Sequence, residues 1–178
     1  MILVLMMTMF IIRLLFLKIS IQNEKRILAE GGKEFGAKNS KFLTLLHIMI
    51  YFFALTEALL NKVRLDGIGL LGLSLMVFSI AMLYWVTHLL SGIWTVKLML
   101  KKEHPYVDHW LFKYVKHPNY FLNICPELIG IVLLCHAQIT ATLLFPFYIL
   151  SLYIRIREEN QLLSEIIIPS TFKKTQLQ

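Results

Sequence analysis

The chain has 178 residues, of which 57% are hydrophobic and 16% charged, an apolar share well above that of an average soluble domain. That excludes an ordinary soluble module, and the length accommodates about five membrane helices of ~20 residues with two or three working loops. The 18 Lys and Arg against 11 Asp and Glu give a net charge of +7, an excess with a topological explanation that requires no nucleic acid.

The first sixteen residues, MILVLMMTMFIIRLLF, lack a basic start and a small-residue cleavage site, which predicts a retained first span rather than a removable signal peptide. Five apolar segments follow one another at about 2–20, 42–61, 67–90, 120–137 and 139–156, each near the length needed to cross roughly 30 Å of hydrocarbon. Only Cys135, His136, Ala137 and Gln138 separate the last two, so they are expected to form a tight helical hairpin.

Five Lys and Arg fall in the 22–41 connection, five in 91–119 and four in the tail, against two in 61–66 and none in the final turn. By the positive-inside rule the heavy side is cytoplasmic, with the N-terminus outside and the C-terminus inside. Arg13 and Lys18 lie in the first span, where Lys18 can reach toward the cytoplasmic face.

Cys125 and Cys135 share one apolar segment. On one helix they sit about 15 Å apart, beyond disulfide reach, and no metal-type spacing of Cys and His occurs. Trp85, Trp94 and Trp110 flank the third span and suit either an interfacial belt or a site. The glycines at 67, 69 and 72 suit close helix packing.

Polar residues at membrane depth need a reason. For His47, Glu57 and His88 the simplest is interhelical hydrogen bonding or proximity to an interface. Glu127 stands two to three turns inside the helix that His117-Pro118-Asn119-Tyr120 opens, where it can face a cavity and contact a substrate. The loop run HPYVDHWLFKYVKHPNY, residues 104–120, is the most informative. Pro118 suits a helix start because its missing N–H would be unpaired there, and that first turn favours a bound carboxylate or ribose oxygen. Arg155 and Glu159 are spaced i, i+4 and share a helix face at the same end of the hairpin.

Together KHPNY and, about 40 residues later, RIREENQLL resemble the isoprenylcysteine carboxyl methyltransferase family, in particular its shorter bacterial members. QNEKRILAEGGKEFGA after the first span, Leu46-His47 and Glu57 in the second, and GIWTVK at 92–97 agree with it. The resemblance implies an all-α integral membrane protein of about five transmembrane helices, one domain over residues 1–178, with a C-terminal helical hairpin and a cytoplasmic cofactor-binding loop. It implies S-adenosyl-L-methionine as cofactor and a lipophilic small molecule or prenylated substrate as methyl acceptor, within a bacterial cell membrane and its lipid.

By the same resemblance His117, Pro118, Asn119, Tyr120 and Glu159 contact the cofactor, as do Lys97, His104 and Val107, while Arg155 is the catalytic, substrate-side arginine. The chain departs from the family pattern at Trp110-Leu111-Phe112, where Gly-Pro-Tyr is usual, at Lys116 in place of arginine, and at Leu83, where many members carry an arginine. A carboxylate acceptor is already ionised near neutral pH and needs no general base; a phenolic acceptor would call on His117 or Glu127. The alternative readings are a phospholipid or other lipid methyltransferase, and a non-catalytic membrane subunit or small transporter. A soluble-type methyltransferase is disfavoured by the lack of a glycine-rich turn between strand and helix.

Overall fold

A computed structural model describes residues 1–101 and 109–164. In chain order these form α1 (Ile2–Ala29), β1 (Lys33–Phe35), α2 (Ala37–Leu60), α3 (Gly67–Leu89), β2 (Leu98–Leu100), α4 (Trp110–Tyr114), α5 (Cys125–Cys135) and α6 (Gln138–Leu162). A wider π-helical turn, Asn119–Ile124, leads into α5. Pro126 lacks the N–H that would continue the α ladder back to Leu122, which favours the wider turn just before it.

Four helices (α1, α2, α3 and α6) are long and apolar enough to cross a membrane, and Asn119–Cys135 forms a shorter apolar fifth. Large apolar side chains such as Leu15, Phe52, Leu71 and Leu143 point outward from these helices. In a bilayer that exposure meets lipid instead of water, so the chain is an all-α integral membrane protein.

The helices extend beyond the apolar boundaries. Where hydropathy ends the first span near residue 20, α1 continues to Ala29, and α2 begins at Ala37 rather than 42. Residues 22–29, QNEKRILA, are good helix formers without being apolar. At 1.5 Å per residue α1 is about 42 Å long, so its last turns project past the hydrocarbon. That projection is anchored by Ile27, which is buried, and by Asn23, whose amide donates to the Trp94 carbonyl at 2.8 Å.

Two short strands in the connections pair antiparallel, with Lys33 opposite Leu100 and Phe35 opposite Leu98. Sequence patterning marks neither these strands nor α4. The pairing joins the α1–α2 connection to the one after α3. Lys97 lies at this join, 3.0 Å from Glu24 and 3.5 Å from Glu34, and its bond to Glu24 raises the ammonium above its usual range.

α5 packs on α3, while α6 packs mainly on α2, so the last two segments are joined by the expected tight turn but touch each other little along their length. The α3–α5 contact is glycine-made: a Cβ on Gly72 would lie 2.6 Å from the Gly130 carbonyl oxygen, and one on Gly130 would lie 2.7 Å from that of Gly72. Small residues at such crossings let helix backbones touch, which is how membrane helices gain packing energy. His136, in the left-handed region at φ 49°, turns the chain between α5 and α6.

Glu57 on α2 accepts from the backbone N–H groups of Ile139 and Thr140 and from the Thr140 hydroxyl. This satisfies first-turn donors of α6, the interhelical role expected of it. Asp66 caps α3 by accepting from Gly69 N–H at 2.8 Å, and that bond holds its carboxyl below the usual range.

The main apolar core joins α1, α2, α3, α5 and α6 around Met6, Ile50, Met76, Ile131 and Leu134. A second cluster of Met82, Leu83, Val86, Trp94 and Leu111 closes the loop end. Leu83 is fully enclosed there, 2% exposed, so the position that carries arginine in many family members is apolar packing in this chain.

Candidate active site

The loop-side end of α3, β2, α4, the π-helical turn and the end of α6 enclose a cavity of about 410 Å³, within the usual range for small-molecule sites. Val86, Leu90, Leu98, Met99, Leu100 and Phe112 supply apolar wall; His117, Asn119, Tyr120, Arg155, Glu159 and Asn160 supply polar wall.

The polar wall is one connected cluster. Helix periodicity puts Arg155 and Glu159 on the same face of α6, and the π-helical turn brings Tyr120 against both. Its hydroxyl donates to Glu159 Oε2 at 2.6 Å and accepts from Arg155 Nε at 3.2 Å. His117 Nδ1 lies 3.2 Å from Glu159 Oε1, and its Nε2 lies 3.1 Å from the Asn160 carboxamide oxygen. The imidazole is also stacked on the Tyr120 ring.

Arg155 is only 4% exposed and is heavily engaged. Besides Tyr120 it donates to the Ser40 hydroxyl on α2 and to the Val96 carbonyl. These bonds use three of the five N–H groups of a guanidinium, and the other two have no partner among the described residues. Arg155 therefore also ties α6 to α2 and to the segment entering β2.

The residues expected from sequence at this site mostly meet. His117, Pro118, Asn119, Tyr120, Lys97, Arg155 and Glu159 all line the cavity. His104 and Val107 lie outside the described residues. Glu127 is not among the lining residues: it is 1% exposed in the bundle, held by Arg13 Nε at 2.8 Å and the Tyr51 hydroxyl at 2.6 Å. His47 stands 3.5 Å from the same carboxylate oxygen and 3.2 Å from the Tyr148 hydroxyl, an interhelical role as expected. His88 stacks on Tyr84 within α3.

Among the departures, Phe112 and Lys116 line the cavity, whereas Leu111 is core. The tryptophans divide. Trp85 and Trp110 are partly exposed and pack edge to face; Trp94 is 5% exposed, lines the cavity, and its indole N–H has no hydrogen-bond partner among the described residues. Sequence left Trp94 open between an interfacial belt and a site, and the cavity wall is where it lies. Ser40 carried no signal in the sequence, and Asn160 only its adjacency to Glu159.

Fold and cavity thus define an integral membrane protein with a cavity of small-molecule size at the loop end of its helices. Residues 70–165, more than half of the chain, match the isoprenylcysteine carboxyl methyltransferase (ICMT) family. The chain is 43% identical over 155 residues to an uncharacterized protein of Haemophilus influenzae, covering 87% of this chain and 90% of that one. It is 30% identical over 145 residues to the uncharacterized protein YpbQ of Bacillus subtilis, covering 81% and 85% respectively. No solved structure matches. The chain belongs to the ICMT family of membrane methyltransferases.

Proposed function

We propose that the chain is an S-adenosylmethionine-dependent O-methyltransferase acting on a lipophilic acceptor with a carboxylate head, of the isoprenylcysteine type or a small alkylated metabolite. The observation that carries this reading is the Tyr120–Glu159–His117–Arg155 cluster on the wall of a largely apolar cavity, in a chain of this family. The partnerless N–H of Trp94 on the same wall fits a ligand rich in acceptor atoms.

His117, Pro118, Asn119, Tyr120, Glu159 and Lys97 would hold the cofactor. When bound, S-adenosylmethionine supplies a methyl group on a sulfonium centre for transfer to an acceptor oxygen. The two remaining N–H groups of Arg155 orient the acceptor carboxylate by charge-assisted hydrogen bonds. The apolar wall of Val86, Leu90, Leu98, Met99, Leu100 and Phe112 lowers the local dielectric, which would strengthen the attraction between a cationic donor and an anionic acceptor. A carboxylate is ionised near neutral pH, so no protein base is required. The charge distribution of the connections supports a cytoplasmic placement of this end in a bacterial membrane.

Calorimetric titration of the detergent-purified protein with S-adenosylhomocysteine tests this reading. Saturable binding by wild type, lost in His117→Ala and Glu159→Ala, is expected. A folded wild type that does not bind would favour a non-catalytic membrane subunit.

A further inference from the structure

Behind the cavity wall a line of polar side chains runs into the bundle. Arg13 of α1 donates through its terminal Nη2 to the Ser79 hydroxyl of α3. Ser79 donates to Asn123 Oδ1 at 3.0 Å, and Asn123 donates through Nδ2 to Asn119 Oδ1 at 2.9 Å. Asn119 lines the cavity. Ser79 and Asn123 are both buried, and the carboxylate of Glu127 holds the Arg13 guanidinium at its Nε.

This line has a direction. A guanidinium can only donate, so Ser79 accepts from it and its single O–H is free to donate onward. The cation polarises that hydroxyl, and each bond strengthens the next in the same sense. The amide of Asn123 then presents oxygen to Ser79 and N–H to Asn119, which fixes an orientation that a carboxamide alone leaves ambiguous. Asn119 ends the line with its oxygen occupied and its N–H₂ engaged by no other group among the described residues.

We propose that Arg13, Ser79 and Asn123 are positioning residues that set Asn119 as a hydrogen-bond donor to a ligand carboxylate in the cavity. The assignment rests on the methyltransferase reading above and adds to it a source of order outside the cavity. Two ligands can bring a carboxylate: the amino-acid end of the cofactor and the head of the acceptor.

The test uses the purified full chain with Ser79→Ala, Asn123→Leu and Asn119→Ala, and with Ser79→Thr as the variant that keeps the hydroxyl. Binding of S-adenosylhomocysteine is compared with that of methylthioadenosine, which lacks the amino-acid carboxylate. Turnover is followed with N-acetyl-S-farnesylcysteine, and thermal unfolding is measured for each protein. If the cofactor carboxylate is the target, the three disrupting variants lose about tenfold or more in S-adenosylhomocysteine affinity. Methylthioadenosine affinity is then retained, and Ser79→Thr restores the loss. If the acceptor carboxylate is the target, S-adenosylhomocysteine affinity holds while KM for the acceptor rises by a similar factor with little change in kcat.

Equal losses for both adenosine ligands would mark a merely structural role and overturn the proposal, as would unchanged affinity and KM in folded variants. Absence of binding by wild type would remove the cofactor reading together with the proposal, an outcome distinct from a binding wild type with indifferent variants.

Discussion

The Tyr120 hydroxyl donates to the Glu159 carboxylate across 2.6 Å, joining the π-helical turn that leads into α5 to the end of α6. Without that hydroxyl, Arg155 Nε loses an acceptor in a buried position. Tyr120→Phe is therefore expected to cost about 1–3 kcal/mol of stability, read as a lower midpoint in thermal unfolding. S-adenosylhomocysteine affinity is expected to fall roughly tenfold by calorimetry, as Glu159 is left less well held.

Trp94→Phe removes the indole N–H together with part of the ring. The N–H has no partner among the described residues, but the smaller ring packs less fully beside Phe16 and within the second cluster. Ligand-free stability is expected to fall by about 1–2 kcal/mol through the space left behind. Affinity for S-adenosylhomocysteine or KM for the acceptor is expected to worsen about threefold to tenfold. Unchanged values in both measurements would detach this indole from the ligand.

Arg13 and Glu127 form a buried ion pair. Removing one member leaves the other uncompensated, so Arg13→Met and Glu127→Leu are each expected to lose about 3–5 kcal/mol. The double variant is expected to recover most of the loss in stability. Denaturation of all four proteins in one detergent closes the double-mutant cycle and isolates the coupling.

Close approach of α3 and α5 makes a different kind of demand. Gly130→Ala would place a Cβ 2.7 Å from both the Gly72 carbonyl oxygen and Met76 Cγ, and is expected to cost about 1–3 kcal/mol through overpacking. Gly67→Ala, where a Cβ meets nothing within 4 Å, is the matched control and is expected to unfold close to wild type.

Much of this architecture is legible from hydropathy and short motifs. Spans are marked by apolar length, and HPNY with Arg155 and Glu159 marks one end of the last hairpin because their spacings are local. What escapes is built from distant or short elements. β1 and β2 have three residues each, too few for an alternation to register, and α4 has five. Glu127 looks from sequence like a cavity residue because its helix starts at the site. Its partners Arg13 and Tyr51 come from other helices, and no local pattern announces the pairing. Trp94 has the composition of an interfacial tryptophan; only the packing of Asn23 on its carbonyl and of Leu83 and Leu111 on its ring shows it to be interior.

The Arg13–Glu127 pair also constrains how the chain is made. A central arginine raises the cost of inserting a lone helix by roughly 2.5–3.5 kcal/mol on translocon scales, and α1 is synthesised before the helix that carries its partner. Its carboxylate partner lies more than a hundred residues later, which at about 5–20 residues per second is a wait on the order of ten seconds. During that interval α1 depends on the surrounding leucines, isoleucines and methionines, or on a membrane insertase that shelters the charge. Stable residence of the first helix is thus tied to completion of α5: before it, Arg13 has the Ser79 hydroxyl of α3 as a partner but no counter-charge from Glu127.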